Sequence, residues 1–490
     1  MTFSSEIRHS QIMELLEKVQ NKNYGQYLLR INVEKARAFT SKSISFDFPV
    51  TALIGPNGGG KTTMLGAAAC AYLDTKPSRF FSKSGRFDAS MQNWKFEHEM
   101  IDRAVRRDEP FRRTAKFTNY RWTRDAVRRA VQMHGVSRTV PATERPEMLR
   151  CVGAHFDVEE NQISAIPPEA CQAVASILDK DVSDFKFLSV DTVGRVTLIA
   201  GTTGTGDAYS EFHFGAGESS IIRMVISLEA MPENSLVLIE EIENGLHPIA
   251  TIRLVEYLID LAYRRKIQTI FTTHSNDALK PLPSKAIWAA VNGELYQGKL
   301  DIGSLRAISG QVDSRLVIFV EDKFAKLWVE ELLRSDREVA MDAISVHAME
   351  GDGTALKVHL AHNLNPSVQQ TSICILDGDS RHSADPDNLV FKLPGESPEL
   401  FIFSKVAESL AQCSMELSVA LLSRPDEEQR VIEVIRSVRN TNRDSHLLFS
   451  QVGRMLRMIP EERVKEAFIS IWAKYYSDDF DAMIDAFRNL

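Results

Sequence analysis

The chain has 490 residues, of which 44% are hydrophobic and 25% charged, and its formal net charge is −8. This length allows two or three domains of ~100–200 residues each. No apolar run approaches the ~20 residues that a membrane-spanning helix needs, so the sequence excludes a transporter with fused spans. Five scattered cysteines without a C-x-x-C pair exclude a disulfide framework and a thiolate zinc site, and favour a reducing, cytoplasmic compartment.

The negative charge is unevenly distributed along the chain. Residues 311–490 carry 30 acidic and 20 basic side chains, a net charge of −10, which leaves +2 for residues 1–310. A nucleic-acid partner is therefore expected to contact mainly the first part of the chain. That first part begins with a predicted amphipathic helix over residues 10–29, followed by alternating segments at 27–33 and 43–48 that predict strands.

A glycine-rich segment follows the apolar run Val50–Ile54 and leads into a helix-forming sequence. Its G-x-x-x-x-G-K-T spacing predicts a P-loop, in which backbone N–H groups surround a phosphate at a helix N-terminus. The alternative is a glycine-rich turn that happens to end in Lys-Thr. The predicted ATP-binding residues are Asn57, Gly58, Gly60, Lys61, Thr62 and Thr63. Lys61 would reach the β- and γ-phosphates, and the Thr62 hydroxyl would ligate Mg²⁺.

Residues 102–138 contain eleven basic and four acidic side chains, with aromatic residues among them. Periodicity predicts a helix at the start of this stretch, around His98–Val105. One interpretation is a surface that contacts nucleic-acid phosphates, in which we include Arg106, Arg107, Arg112 and Arg113. The other is a solvated helical face or an interface rich in salt bridges.

Three further features follow in order. Segments 190–198 and 209–214 predict strands, and a glycine-rich turn containing Gly217 and Ser219 opens a helix. The apolar segment 235–239 then ends in Glu240 and Glu241, a carboxylate pair suited to Mg²⁺ and an attacking water beside a triphosphate. A second apolar strand ends in His274.

This series of motifs resembles the ATP-binding-cassette-type ATPases, in particular the SMC/RecF/OLD branch. The resemblance implies a homodimer or higher homo-oligomer, in which the turn with Gly217 and Ser219 reaches the partner's ATP. It also implies that Glu240 supports Mg²⁺, Glu241 polarises water and His274 senses the γ-phosphate. The sequence departs from the family in having Glu at position 240 where Asp is usual, and Gln92 is a candidate for the family's Q-loop glutamine.

The second half of the chain alternates strands and helices, which predicts a parallel sheet. Acidic residues follow its predicted strands at Glu321, Asp322, Glu350-Gly-Asp352, Asp377 and Asp379. Because the carboxyl ends of parallel strands lie at one edge of a sheet, these carboxylates would form a Mg²⁺ or Mn²⁺ site for phosphoryl chemistry.

The order of these acids resembles a TOPRIM domain, and a TOPRIM domain behind this ATPase is the arrangement of OLD-family nucleases. The resemblance implies Glu321, Asp377 and Asp379 as catalytic residues, Glu399 as a further metal ligand, and Lys392 or Lys405 as a catalytic lysine. A degenerate TOPRIM fold with a structural role is the alternative. The predicted domains are an ATPase (1–310, with a basic insertion at about 102–160), a TOPRIM domain (311–400) and a helical region packed on it (401–490).

Two classes of function are compatible with these motifs. In the first, an ATPase dimer regulates a metal-dependent nuclease acting on DNA, as in antiphage defence effectors that work alone or with a partner protein or retron RNA/DNA from a neighbouring gene. In the second, an ATP-dependent clamp or sensor binds DNA and the TOPRIM fold is structural. A nuclease acting on RNA shares the first mechanism. Arg443–His446 could reach the nuclease edge, or could simply start a helix with Asp444 or Ser445 as its cap.

Overall fold

The computed structural model describes residues 7–82, 91–151, 158–190, 196–202, 206–298, 316–335, 344–349, 353–364, 368, 370–422, 424 and 427–476. The chain divides into two compact units, Met1–Gln297 and Gly298–Leu490, here called unit 1 and unit 2. Among the described residues, no helix has the length and apolar character needed to cross a membrane.

Unit 1 contains five helices and fifteen strands among its described residues. In chain order they are α1 (His9–Gln20), β1 (Gln26–Ala36), β2 (Phe39–Ser45), β3 (Val50–Ile54), α2 (Lys61–Ala69), β4 (Trp94–Asp102), β5 (Phe111–Thr118), β6 (Arg121–Arg124), β7 (Val131–His134), β8 (Ile163–Ala165), α3 (Pro168–Leu178), β9 (Lys186–Ser189), β10 (Thr197–Thr202), β11 (Ala208–Ser210), α4 (Ala216–Glu229), β12 (Leu236–Ile239), α5 (Pro248–Arg265), β13 (Gln268–Thr272), β14 (Ile287–Val291) and β15 (Glu294–Gln297).

Three sheets form unit 1. A six-stranded sheet has the order β15-β14-β3-β13-β12-β7, and every neighbouring pair in it is parallel except β14 and β15. An antiparallel sheet has the order β2-β1-β4-β5-β6, and a smaller one the order β11-β10-β9-β8. The central strands β3, β12 and β13 are buried at every position, as the continuous apolar runs of parallel strands require.

Helix α2 packs against both larger sheets, contacting β13 of one and β1 of the other. Eight of its nine residues are buried, because the small side chains of Gly66–Ala69 allow close approach on all sides. On the side of the antiparallel sheet, His98 of β4 lies 2.8 Å from the Ala67 carbonyl oxygen through its Nε2 atom. The P-loop that precedes α2 is thereby held on a rigid base.

Two sequence predictions for unit 1 are wrong. The helix predicted over 10–29 ends at Gln20, and the chain turns at residues 21–25 into β1. The helix predicted around His98–Val105 is strand β4, whose burial alternates as expected for a sheet with one covered face. Of the predicted strand 190–198, residues 191–195 lie outside the described residues. The predicted strand 209–214 is the short β11 followed by a 3₁₀ turn at Glu211–His213.

Unit 2 contains a parallel sheet of order β17-β16-β18-β19 and a group of helices. In chain order its elements are β16 (Leu316–Val320), α6 (Lys323–Ser335), β17 (Ile344–Ala348), α7 (Thr354–Asn363), β18 (Thr371–Leu376), β19 (Val390–Lys392), α8 (Pro398–Glu408), α9 (Leu410–Ala420), α10 (Glu428–Thr441), α11 (Leu448–Met455) and α12 (Glu461–Tyr476). The predicted α/β class, a larger unit with a parallel sheet followed by a small parallel sheet and a helical region, is confirmed.

One hydrophobic core joins the sheet of unit 2 to its C-terminal helices. Trp328 of α6 packs edge to face on Trp472 of α12, with ring centroids 5.0 Å apart, and stacks on Phe401 of α8 at 5.9 Å. Asp322 begins α6, since its Oδ1 accepts a 2.7 Å hydrogen bond from the Ala325 amide. This core fixes the edge of the sheet at which β16 and β18 end.

Candidate functional site

The glycine-rich segment after β3 adopts a backbone that only glycine takes up easily. Gly58 and Gly60 have φ of +77° and +102°, in the left-handed region. Lys61, the first residue of α2, is 7% exposed and folds back over the loop. Its Nζ donates to the carbonyl oxygens of Gly55 and Pro56 at 2.8 and 3.1 Å. The ammonium group is therefore held above the loop, where a phosphate would replace the carbonyl contacts.

The two threonines after Lys61 lie in different surroundings. Thr62 is exposed, so its hydroxyl is available to a ligand at the helix N-terminus. Thr63 is buried, and its Oγ1 accepts a 3.1 Å hydrogen bond from Arg37 Nη1. Asn57 and Gly58 are exposed at the tip of the loop. Thr62 is thus the better placed of the two threonines to meet a nucleotide.

The acidic turn after β12 and the P-loop after β3 lie at the same edge of the sheet, because these strands are parallel and only β13 lies between them. Burial lowers the pKa of Lys61 to about 8, and the negative charges of Glu241 and Glu243 oppose that shift. His274, which follows β13, is close enough to Lys61 that the lysine helps burial to lower the imidazole pKa. The structure therefore brings Lys61, Glu241 and His274 together around one site.

Glu243 is a member of this site that the sequence analysis did not assign. Its two carboxylate oxygens accept hydrogen bonds from the Thr273 hydroxyl at 2.7 Å and from the His274 amide at 2.6 Å. It thereby ties the acidic turn to the end of β13. The third acid in the run Glu-Glu-Ile-Glu was the available signal, because acids two residues apart along a turn can face the same neighbouring strand.

Glu240 lies beside the end of β7. Burial raises the pKa of its carboxyl, and the positive charges of Arg79 and Arg138 work against that shift. Its Oε2 lies 3.4 Å from the position that a Cβ on Gly135 would occupy, at the end of β7. Of the two paired acids, Glu241 is therefore the one near the P-loop lysine in this conformation.

The strand next to β12 ends in a residue that sequence reasoning missed. Gln92, the candidate Q-loop glutamine, precedes β4 of the antiparallel sheet and so does not lie at the end of a strand adjacent to β12. His134 occupies that position: it pairs with Ile239, and its carbonyl accepts a 2.9 Å hydrogen bond from the Glu240 amide. Burial and the nearby Arg138 and Arg79 lower the pKa of His134 to about 4.

The glycine-rich turn opens α4 at Ala216, as predicted, and its residues differ in exposure. Ser219 is 2% exposed, and its hydroxyl donates to Glu211 and accepts from Arg145 Nη2 at 3.0 Å. The hydroxyl therefore points into the protein in this single chain, and a contact of Ser219 with a partner's ATP stays a prediction. Gly215 is exposed at the helix N-terminus, while Gly217 is buried where a Cβ would lie 1.9 Å from the Gly245 carbonyl oxygen.

In unit 2, the predicted acids gather at the carboxyl edge of the parallel sheet. Glu321 follows β16 and Asp377 follows the adjacent β18. Burial, followed by the negative charges of Asp322, Glu321, Asp379 and Glu399 in that order, raises the pKa of Asp377 to about 8. Four of the predicted acids are therefore close enough to Asp377 to act on its carboxyl group.

This acidic edge has the donor chemistry that Mg²⁺ or Mn²⁺ requires. Asp377 Oδ1 is buried with no hydrogen-bond partner among the described residues, which leaves a carboxyl oxygen for a cation to satisfy. Among those residues no three acidic, His or Cys side chains yet converge on one point, so ligation would need carboxylate rotation. The predicted acids Glu350 and Asp352 lie outside the described residues.

Two basic side chains border the acidic edge. Lys392, at the end of β19, donates from Nζ to the Ser380 carbonyl oxygen at 2.7 Å, beside Asp379. His446 Nδ1 lies 3.3 Å from Oε1 of Glu399, which is 8% exposed. The segment containing His446 therefore lies against Glu399. Asp444 also caps the turn at Ser445–Leu447, since its Oδ1 accepts a 3.0 Å hydrogen bond from the His446 amide.

The basic stretch is a β-structure, and its arginines fall into two groups. Those predicted to contact nucleic acid lie on and beside β5, and three of them have acidic neighbours: Arg106 with Glu109 at 2.9 Å, Arg112 with Glu97 at 3.2 Å, and Arg113 with Asp125 at 2.7 Å. Arg107 is exposed. Of the others, Arg121 and Arg128 are also exposed. Three point inward: Arg129 is 2% exposed, and Arg124 and Arg138 donate to main-chain carbonyl groups.

Two protein-family models match separate parts of unit 1. A model described as "AAA domain" matches residues 30–135, which contain the P-loop. A model described as "AAA domain, putative AbiEii toxin, Type IV TA system" matches residues 155–279, which contain the turn before α4, the acid pair and His274. The chain contains an ATP-binding P-loop ATPase domain. No curated protein matches it.

Among solved structures, the chain is similar to the SMC head domain from Thermotoga maritima, with 14% identity over 55% of this chain and 98% of that chain and a TM-score of 0.35. It is also similar to the recombination mediator protein RecF with ATP, with 10% identity over 56% of this chain and 99% of that chain and a TM-score of 0.34. At these sequence identities and TM-scores, the similarity assigns no ligand and no partner to this chain.

Proposed function

We propose that this protein is an ATP-regulated, metal-dependent nuclease acting on DNA, with ATP bound in unit 1 and phosphodiester cleavage at the acidic edge of unit 2. The observation that supports it best is the raised pKa of Asp377 among four other carboxylates. Such mutual repulsion is costly to maintain in a fold without function, and clusters of perturbed acids are typical of catalytic sites.

In the proposed ATPase cycle, Lys61 leaves the carbonyl groups of Gly55 and Pro56 and binds the β- and γ-phosphates. Thr62 and Glu240 would hold Mg²⁺, and Glu241 would accept a proton from the attacking water. His274 would contact the γ-phosphate, since its amide is fixed by Glu243. The exposed turn at Gly215 would meet the nucleotide of a second copy, so that the site is completed by homodimerisation.

At the acidic edge, Glu321, Asp377 and Asp379 would hold the metal, with Asp322 and Glu399 as further ligands. A bound Mg²⁺ or Mn²⁺ would supply charge stabilisation to the phosphate and a more acidic bound water. The protein side chains have separate tasks. Lys392 would orient the loop after β18 through the Ser380 carbonyl, and His446 would keep Glu399 in place.

Two observations support a nucleic-acid substrate and a role in antiphage defence. The exposed arginines at and beside β5 form a basic surface on an otherwise acidic chain, suited to phosphate contacts. One of the matched family models is described by a toxin of a toxin–antitoxin system. A defence effector that degrades DNA would need the control that an ATPase provides, including a trigger from a partner protein or nucleic acid.

A cleavage assay tests this proposal directly. Purified protein would be incubated with plasmid, linear duplex, single-stranded DNA and tRNA, with Mg²⁺ or Mn²⁺, and with and without ATP. We expect DNA cleavage by the wild type, none by Glu321→Ala or Asp377→Asn, and unchanged ATP hydrolysis in both variants. Arg106→Ala/Arg107→Ala should weaken DNA binding and reduce its dependence on salt.

A DNA-binding clamp with a structural acidic edge is the second candidate. It is favoured by the absence of three converging ligand side chains among the described residues. If no nucleic acid is cut under any condition while ATP-dependent DNA binding persists, the clamp is the correct function. Cleavage of tRNA alone would instead assign the same chemistry to RNA.

A further inference from the structure

Arg138 makes an unusual set of contacts beneath the acidic turn. Its Nη1 donates to the carbonyl oxygen of Glu240 at 2.6 Å and to that of Gly135 at 3.1 Å. Its Nη2 donates to the carbonyl oxygen of Glu241 at 2.5 Å. One side chain therefore holds the main chain of both paired acids through its two terminal nitrogens.

The turn that Arg138 holds is conformationally strained. Glu241 has φ of +45°, which is unfavourable for a residue with a side chain, so the surroundings must impose it. The Glu241 amide donates a hydrogen bond to Thr272 Oγ1 at 2.9 Å. Arg138 fixes the carbonyl groups of Glu240 and Glu241, which lie before and after the Cα atom of Glu241. The direction of the Glu241 carboxylate depends on this pair of restraints.

Arg138 is in turn anchored through its own segment to α4. Arg145 donates to the Val140 carbonyl oxygen at 3.0 Å, to Ser219 Oγ at 3.0 Å and to Glu211 Oε1 at 2.7 Å. Thr139, next to Arg138, accepts a 2.9 Å hydrogen bond from Asn244 Nδ2. Residues 138–145 thus connect the acidic turn to the helix that begins at Ala216.

We infer that Arg138 is a positioning residue for ATP hydrolysis, holding Glu240 and Glu241 in the orientation that the chemical step requires. The inference rests on the role proposed above for Glu241. Arg138 touches neither Lys61 nor the loop at Gly55–Gly60 through any hydrogen bond in the described structure, so its effect should fall on turnover and not on nucleotide binding. A lysine could reach only part of this set of acceptors, because its donors all sit on one nitrogen.

The first test compares Arg138→Ala and Arg138→Lys with Arg121→Ala, a control on the exposed strand β6 of the same basic stretch. Without nucleic acid, we expect kcat for ATP to fall on the order of 100-fold in Arg138→Ala, because small misplacements of a catalytic group have effects of that size. The Kd for ATP should stay within about threefold of wild type, which corresponds to about 0.7 kcal/mol at 1.4 kcal/mol per factor of ten. Arg121→Ala should match wild type, and loss of ATP binding in Arg138→Ala would overturn the inference.

The second test asks whether Arg138 acts through Glu241. If it does, adding Arg138→Ala to Glu241→Gln should cause no further loss of turnover, because residues that act as a unit are non-additive. Fully additive losses would contradict the inference. Wild-type turnover in Glu241→Gln alone would instead refute the proposed role of Glu241, so the two failures are distinguishable.

The third test uses the cavity beside Arg138. A cavity of about 530 Å³ is lined by Arg138, His134 and residues of α4, and it gives small solutes access to the space that Arg138→Ala would leave. Millimolar guanidinium should restore part of the kcat of Arg138→Ala, and ammonium at the same concentration should not. If Arg138→Ala does not fold, Arg138→Lys with intact nucleotide binding carries the same test. Equal responses to guanidinium and ammonium would show that Arg138 supplies only charge.

Discussion

Asp377 shows most clearly how burial and charge act on a single residue. Its carboxyl group is half-buried at the end of a strand, and this burial together with the negative charges of four other carboxylates raises its pKa to about 8. The unfolded chain would have a pKa of about 3.9 at this residue. The folded state therefore retains a proton between these values, and its stability decreases as the pH rises from about 4 to about 8.

We predict that Asp377→Asn stabilises the metal-free protein at pH 8, because the amide carries no charge to bury. Its melting temperature should exceed that of wild type at pH 8, and the difference should disappear near pH 4. Mg²⁺ should raise the melting temperature of wild type and not of the variant. Asp387→Asn, an exposed acid in the same unit, is the matched control. Equal stabilisation of wild type and Asp377→Asn by Mg²⁺ would contradict a metal site at Asp377.

Lys61 presents the reverse case, because burial lowers the pKa of its ammonium to about 8. Bound phosphates favour the charged form, so nucleotide binding should be coupled to uptake of a proton at pH values at which Lys61 of the free protein is deprotonated. We predict an ATP affinity that is constant below about pH 8 and falls towards tenfold per pH unit above it, measured by calorimetry without metal. Lys61→Arg should lack this dependence if it binds ATP, since guanidinium stays charged. A flat profile for wild type up to pH 10 would refute the low pKa.

At the scale of elements, the position of α4 depends on a buried acid in the turn before it. The Glu211 side chain is fully buried and forms ion pairs with Arg145 at 2.7 Å and with Arg223. These contacts keep its pKa below the usual value despite burial. The stabilisation that ionised Glu211 gives the folded state is therefore present above about pH 4 and lost as the pH falls through the lowered folded-state pKa.

We predict that Glu211→Gln reduces the free energy of unfolding by roughly 3–5 kcal/mol, because it leaves two arginines without their buried counter-ion. Chemical denaturation of the full chain would measure this. The control is Glu109→Gln, which removes the exposed pair with Arg106 and should change stability by about 0.5 kcal/mol or less. A cost for Glu211→Gln as small as that of the control would show that the network contributes little to folding.

At the scale of the whole molecule, the exposed turn at Gly215 should matter only when two copies meet. A Cβ at Gly215 would encounter no atom within 4 Å, so a large side chain there is compatible with the fold. We predict that Gly215→Arg retains ATP binding but loses ATP-dependent dimerisation and ATP turnover, as followed by light scattering and phosphate release. Ala230→Arg, at the other end of α4, should behave as wild type. ATP-dependent dimers of Gly215→Arg would argue against this turn as the contact.

The sequence alone determined the nucleotide site and the order of its parts. Local spacing specifies a P-loop, since strand, glycines and helix are adjacent in the chain, and apolar runs ending in Glu240, His274, Glu321 and Asp377 specify the edges of parallel sheets. The α/β class follows from the same alternation of strands and helices.

Tertiary structure decided what spacing could not, because it depends on contacts between distant residues. Ser219 is buried since Glu211 and Arg145 meet it from other segments. Residues 98–102 belong to strand β4 since β1 and β5 lie on either side of it, which overrides the helical periodicity of this segment. Glu243 and Arg138 become part of the ATP site only once β13 and β7 flank β12. The sequence thus names the acids to which we assign chemistry, and the fold determines which residues hold them in place.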